Sequence, residues 1–367
     1  MGEKKDLKYV EIVDWVKQQI NDHIWNIGEK MPSEQEICDR FHVSRQCVRH
    51  ALDVLSSESL IVKVKGSGSY IGPSTSLIGG SFKKHKAVAV ISTYLDHYIF
   101  PGVLRGIEQT LSDKGYVVQV SFTNDDLFQE RKILENIIQR NNVDGIIVEP
   151  SKSALPNPNI SLYRKLMEMN IKLLFFHSSY PELHQPCVRI DDYDAAYNAT
   201  KLLIDAGHKK ILGIFHSEDG QGRLRYAGYQ QAMLDHNLFS KIDRTLWVNA
   251  HMIKHMHELG DYLSDIIRDS TAVVCYNDEV ASNLINFMIS KNIRVPEDVS
   301  VVGIDNSNLA EVCVVPITSF DHPKEQLGER LALNMIEEIE NPLFNGEHIF
   351  KSDPVIRNSV KQILKTN

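Results

Sequence analysis

Two cysteines and two histidines stand within thirteen residues, in the stretch Cys38-Asp-Arg-Phe-His42-Val-Ser-Arg-Gln-Cys47-Val-Arg-His50. On a pair of helices, Cys38 with His42 and Cys47 with His50 would each present two ligands on one face, and a zinc ion could staple them together. The same stretch holds Arg45, Gln46 and Arg49, which suit a different chemistry. Arginine pairs with guanine O6 and N7, and glutamine with adenine N6 and N7.

Helix geometry weighs the two readings. At ~100° per residue, with Val48 at zero, Leu52, Leu55 and Ala51 fall at about +40°, -20° and -60° and form an apolar stripe. Arg45, Arg49 and Gln46 fall at about +60°, +100° and +160°, a polar face at the helix start, while Cys47 at about -100° flanks the stripe on the other side. A helix that reads the major groove needs this division. The ligand spacings match no known zinc finger, although a solvated polar face alone would show the same arginines.

The elements around the stretch must position that face. Val10, Val13, Trp15, Val16 and Ile20 recur at helical spacing. Ser33 and Glu36 form a capping box that starts a second helix, and Ser44 caps the third. Ser44 can also offer its hydroxyl to a phosphate. Then Leu60-Ile-Val-Lys-Val-Lys65 alternates like a strand, Gly66-Ser-Gly68 turns, and Ser69-Tyr70-Ile71 returns. Three helices and a hairpin over 1–72 predict a winged helix-turn-helix, with Lys63, Lys65 and the glycine tip suited to a phosphate backbone. Residues 73–86 are small, polar and basic without period, as in a linker.

From 87 onward short apolar runs alternate with helical stretches. Strands are expected near 87–92, 117–120, 145–148, 172–176, 211–215, 272–275 and 299–304. Helices are expected near 101–114, 127–140, 192–206, 222–236, 253–267, 277–290 and 323–340. This alternation predicts a doubly wound α/β domain over 87–367, with too many strands for one sheet. Two lobes follow, the first near 87–178 with 321–345 and the second near 179–320 with 346–364.

Composition narrows the functional classes. The 367 residues carry a formal charge of -8, with 43% hydrophobic and 24% charged residues, which are globular values. A net negative chain does not coat nucleic acid indiscriminately, so any nucleic-acid contact must be local. The five cysteines, Cys38, Cys47, Cys187, Cys275 and Cys313, form no Cys-x-x-Cys pair and fit reduced, cytoplasmic use. No run approaches the ~18 apolar residues of a membrane span, and no signal-like segment opens the chain. There is no Gly-x-Ser-x-Gly elbow, Walker A loop or His-Glu-x-x-His, so an enzyme is not expected. His251, His255 and His257 lack a supporting carboxylate pattern, so neither a metal nor a cofactor is expected.

The head resembles the GntR family of bacterial repressors. The likeness rests on Lys8-Tyr9-x-x-Ile12, Gly28-Glu-Lys-Met-Pro-Ser-Glu34, Phe41-x-Val-Ser-Arg45-x-x-Val48-Arg49-x-Ala-Leu52 and Gly66-Ser-Gly68-Ser-Tyr70. The resemblance implies that Arg45, Gln46 and Arg49 touch bases, with Lys8, Glu34, Ser44, Lys65, Gly66 and Gly68 serving the same surface. The remainder resembles the effector domain of the LacI/GalR family, which shares the periplasmic binding-protein fold. Its marks include Arg225-Tyr-Ala-Gly-Tyr229, Cys275-Tyr-Asn277-Asp278 and Val299-Ser-Val-Val-Gly-Ile-Asp305. The pairing, with Thr93 to Pro101 and Val148 to Ala154, is similar to the L-arabinose-responsive repressors of Gram-positive bacteria.

That likeness implies a dimer, a double-stranded operator and a sugar effector, L-arabinose foremost, although the fold alone leaves a hexose, a purine or a corepressor open. It carries Arg225, Asn277 and Asp305 into the effector site. In such folds ligands meet the carboxyl ends of strands, which adds Asp96, Tyr98, Phe100, Asn124, Glu149, Lys152, His177 and His322. Asn277 also has the spacing of a helix cap, and Phe100 that of a core residue. Arg45→Ala is expected to abolish specific operator binding in a gel shift, whereas Cys47→Ser in the presence of a chelator leaves it largely intact. A head that unfolds in chelator would restore the zinc reading.

Overall fold

The computed structural model describes residues 3–21, 24–25, 28–57, 60–64, 67–71, 85–94, 99–238, 244–341 and 344–363. Lys65, Gly66, Asp96, Tyr98 and the linker residues 73–84 lie outside them. The chain divides into two compact units, Met1–Lys84 and His85–Asn367.

In the first unit α1 (Glu3–Asn21), α2 (Glu34–Phe41) and α3 (Arg45–Ser57) precede a hairpin of β1 (Ile61–Val64) and β2 (Gly68–Ile71). Ser33 and Glu36 exchange the bonds of the capping box, and the hairpin is antiparallel with Val64 opposite Gly68. Ile12, Val13, Val16, Ile37, Cys38, Val48, Leu52, Leu55 and Ile61 close one core. Val10 belongs outside it at 38% exposure; the inner stripe of α1 runs through Ile12 instead.

The second unit holds two six-stranded sheets. The chain runs β3 (Ala87–Ser92), α4 (Phe100–Asp113), β4 (Val117–Phe122), α5 (Leu127–Arg140), β5 (Gly145–Val148), α6 (Ile160–Glu168), β6 (Lys172–Phe176) and β7 (Cys187–Ile190). It crosses to α7 (Asp192–Asp205), β8 (Ile211–His216), α8 (Gly220–Asp235), β9 (Thr245–Val248), α9 (Ala250–Lys254), α10 (Gly260–Arg268), β10 (Ala272–Cys275), α11 (Asp278–Ser290), β11 (Ser300–Asp305), α12 (Asn308–Val312) and β12 (Thr318–Asp321). It returns through α13 (Lys324–Glu340) and β13 (His348–Phe350), then ends on β14 (Pro354–Val355).

The sheet orders are β13-β7-β6-β5-β3-β4 and β14-β12-β11-β10-β8-β9. All pairings in them are parallel except β12 with β14. Successive residues of a strand point to opposite faces, so β3 sends Val88 and Val90 to one core and Ala89 and Ile91 to the other.

The pairing corrects the expected lobe boundaries. β7 bonds to β6, and β13 bonds to β7, so 187–190 and 348–350 belong to the first lobe rather than the second. The chain therefore changes lobes after 190, after β12 and after β13. The expected helix over 253–267 is instead α9, a short 3-10 turn at Met256–Leu259 and α10, with Gly260 at φ +48° between the last two.

One buried carboxylate locks the second sheet to its helices. Asp278 accepts from the Ser307 amide at 2.7 Å, the Ser307 hydroxyl at 3.0 Å and the Ser319 hydroxyl at 2.6 Å. A Cβ on Gly303 would stand 2.2 Å from its Oδ1, so only glycine fits there. Burial, with the charge of Asp305 beside it, pushes the Asp278 carboxyl from 3.8 up to about 7. The folded value lies above the unfolded one, so the stability it adds is complete below about pH 4 and is lost as pH rises through about 7. The stability difference between the wild type and Asp278→Asn is expected to fall over that window, by about 4 kcal/mol at most. Urea denaturation at a series of pH values measures it; a flat difference would contradict this account.

Candidate functional site

In the first unit the angular division holds. Val48, Leu52 and Leu55 are at most 1% exposed, and Ser44, Arg45, Gln46 and Arg49 face solvent. Ser44 Oγ accepts from the Cys47 amide at 3.4 Å, as an N-cap should. The first turn of α2 aims the two arginines: Arg45 donates to Gln35 Oε1 at 3.2 and 2.8 Å, and Arg49 to Glu34 Oε2 at 3.0 Å. Exposed pairs of this kind are worth at most ~1 kcal/mol, so either arginine can be freed from them. Lys8 is exposed on α1, and Gly68, at φ +121°, opens β2 in a conformation suited to glycine.

The cysteine and histidine pairs part company. Cys38 sits in the core, His42 ends α2 in the left-handed conformation, and the His50 ring packs edge-on at 4.5 Å against Tyr9. Among the described residues no three metal-ligating side chains come together, in the head or at His251, His255 and His257.

In the second unit a cleft, partly open to solvent, lies between the lobes at the carboxyl ends of β3, β5, β6, β8, β10 and β11. Phe100, Glu149, His177 and Asp305 of the expected site line it. Glu149 Oε2 accepts from Ser92 Oγ at 3.1 Å, Thr93 N at 2.8 Å and Thr93 Oγ1 at 2.6 Å, and its Oε1 meets His177 Nδ1 at 3.0 Å. These bonds fix the carboxylate and leave lone-pair capacity for a ligand.

Arg225 stands behind the cleft wall at 1% exposure. It donates to Asp192 at 2.8 Å, to Asp305 at 3.0 Å and to the Tyr276 carbonyl, and its guanidinium lies 4.8 Å from the Tyr276 ring centre. Burial opposes its charge, but Asp305 and Asp192 outweigh that and hold its pKa well above the ordinary value. Arg225 thus places Asp305 and Tyr276, which line the cleft where Arg225 does not.

Four other expected residues take different roles. Asn277 caps α11, its Oδ1 accepting from Val280 N at 2.9 Å. Lys152 reaches from the first lobe to Glu218 of the second at 2.8 Å, an interlobe tie seconded by Ala154 N to Glu218 O at 3.1 Å and Gly220 N to Ser153 Oγ at 2.9 Å. Asn124 is exposed beside the cleft, and Asp125 lines it instead. His322 is buried behind His177.

The strand-end rule passed over several lining residues, including Asp125, His216, Asp219, Gln221, Lys254, Tyr276 and Glu279. His216 and Tyr276 were findable, since they end or follow β8 and β10. Lys254 was not, because it comes from α9 and reaches the Tyr94 ring of the other lobe at 5.2 Å. Burial pushes the Asp125 carboxyl up to about 6 and the Tyr94 hydroxyl to about 12. Asn124, Asp125, Lys152, His177 and Asp305 all hold positive φ, between 44° and 102°. Such backbone costs energy and gathers where side chains must be aimed at a ligand.

Residues 8–71 match the gntR family of bacterial regulatory proteins, and residues 200–360 match a periplasmic binding protein-like domain. An arabinose metabolism transcriptional repressor of Geobacillus stearothermophilus is 33% identical over 99% of this chain and 100% of its own length. A second, from Halalkalibacterium halodurans, is 34% identical over 97% of each. Among solved structures the transcription regulator CcpA of Lactococcus lactis matches 75% of this chain and 99% of its own with a TM-score of 0.67 and 26% identity. No helix of the described residues is long and apolar enough to cross a membrane. The chain belongs to the family of transcriptional repressors, the two arabinose metabolism repressors among them, that join a gntR-type winged helix-turn-helix to a periplasmic-binding-protein-like sensing domain, and it is a regulator rather than an enzyme.

Proposed function

We propose that this repressor answers to L-arabinose, bound between the two lobes, and that the sugar releases it from a pseudo-palindromic operator. The observation that carries the ligand class is the character of the cleft wall. Asp125, Glu149, Asp219, Glu279 and Asp305 face it, and Lys254 is the one Lys or Arg among its lining residues. Such a wall repels phosphates and sugar acids and suits an uncharged ligand rich in hydroxyls. Phe100 and Tyr276 offer ring surface for the C–H faces of a pyranose. The near full-length identity to repressors named for arabinose metabolism supports the choice of sugar.

Phe100, Glu149, His177 and Asp305 are the proposed ligand contacts, and Tyr98 is proposed with them from its place in the sequence after the first strand. Arg225, Asn277, Lys152 and His322 hold those contacts in place. At the DNA, Arg45, Gln46 and Arg49 read bases, Glu34 aims Arg49, and Lys8, Ser44, Lys65, Gly66 and Gly68 meet the backbone.

A homodimer matches the two-fold symmetry of such an operator. Val312 and Val314, exposed at 76% and 74%, and the uncharged edge strand β4 with Val117 at 62%, are surfaces a second copy would cover. The sugar acts by population shift, since it binds the closed lobes better than the open ones. The site of action is the cytoplasm, where the operator is.

In a gel shift with operator DNA, saturating L-arabinose is expected to release the protein, and a phosphorylated pentose is expected to leave the complex intact. Undiminished binding at saturating L-arabinose would overturn the inducer assignment.

A further inference from the structure

Behind Glu149 the bonding continues away from the cleft. His177 Nε2 lies 3.1 Å from His322 Nε2, and the two rings cross at 74°. Both histidines are at most 2% exposed, and His322 Nδ1 has no hydrogen-bond partner. His177 follows β6 of the first lobe. His322 follows β12 of the second lobe, on the short crossover that leads into α13.

A bond between two imidazole nitrogens holds one proton, so one ring donates and the other accepts. Where Glu149 Oε1 accepts in its bond with His177, the hydrogen sits on His177 Nδ1. With its hydrogen on Nδ1, His177 can accept at Nε2, and His322 then donates from Nε2 and carries a bare Nδ1. The unpartnered Nδ1 agrees with that assignment, because a buried N–H left without a partner costs more than a bare ring nitrogen. Burial holds the His322 pKa well below the usual value, which keeps the ring neutral.

Resting on the effector site proposed above, we infer that His322 is a positioning residue for the effector. It fixes the tautomer of His177 through the Nε2 bond and thereby holds Glu149 in place as an acceptor for a ligand hydroxyl. Because His322 rides on the crossover between the lobes, the bond also ties the aim of Glu149 to the lobe angle. Opening the lobes would stretch it. His322 touches no ligand itself, so its effect passes wholly through His177.

Two measurements test this. In the sugar-free protein, nitrogen-15 NMR of the histidine rings is expected to show His177 protonated at Nδ1 and His322 protonated at Nε2 with Nδ1 bare. A proton on His322 Nδ1, or on His177 Nε2, would overturn the inference. This readout does not depend on which sugar binds, so it stands apart from a failure of the L-arabinose assignment, which wild-type calorimetry would show as no heat.

The second measurement is calorimetry of L-arabinose binding to variants. The side-chain amide introduced by His322→Gln can place an N–H near the Nε2 position, so this variant is expected to bind within a few fold of wild type. His322→Phe keeps bulk without the donor and is expected to bind roughly tenfold or more weakly. Equal sugar affinity in both variants would overturn the inference. If His322→Phe fails to fold, the tautomer pattern still decides.

Discussion

A guanidinium buried to 1% exposure survives only in company, and Arg225 has two carboxylates and a backbone carbonyl around it. Desolvating these charges is costly, and stripping one partner from such a group leaves an uncompensated charge at ~3–5 kcal/mol. The arrangement therefore binds four elements of the second lobe into one unit: α8 carries Arg225, the start of α7 carries Asp192, β11 ends at Asp305, and β10 leads to Tyr276. Asp305 and Tyr276 face the cleft because Arg225 holds them from behind. The same network fixes the backbone at Asp305, whose φ of 102° an unsupported aspartate would rarely hold.

On the first lobe Glu149 plays the matching part with opposite chemistry. Its partners are neutral donors from β3 and its loop, with His177 from the end of β6. A ligand in the cleft meets acceptors fixed on both lobes. The ties at Lys152 with Glu218 and Lys254 with Tyr94 cross from one lobe to the other. Each is partly exposed and therefore modest in energy.

The head and the main strands were legible because their signals are local. The capping box at Ser33, the N-cap at Ser44 and the stripe from Val48 to Leu55 depend on spacing within one or two turns. Apart from β9, Thr245–Val248, the missed strands are short or interrupted by polar residues. β12 is Thr-Ser-Phe-Asp, whose Thr318 and Ser319 are fully buried, the Thr318 hydroxyl accepting from Arg357 N and the Ser319 hydroxyl donating to Asp278, a satisfaction that no single-residue scale detects. β7 and β13 are short, and Arg189 interrupts the first, so the lobe boundary was drawn too early. The strand-end rule led to Phe100, Glu149 and His177, and the family resemblance to Asp305, all of which line the cleft. Asn277, taken from the resemblance, caps a helix, and Lys152, taken from the strand-end rule, ties the lobes, since type and position look alike until the partners are known.

Effector and operator must act on one equilibrium if the chain is a sensor, and that coupling is reciprocal. Calorimetric titration of L-arabinose into the free protein and into its operator complex tests it most directly. The account predicts weaker sugar binding to the complex, by the same factor by which the sugar lowers operator affinity. Equal sugar affinity with and without operator would contradict it.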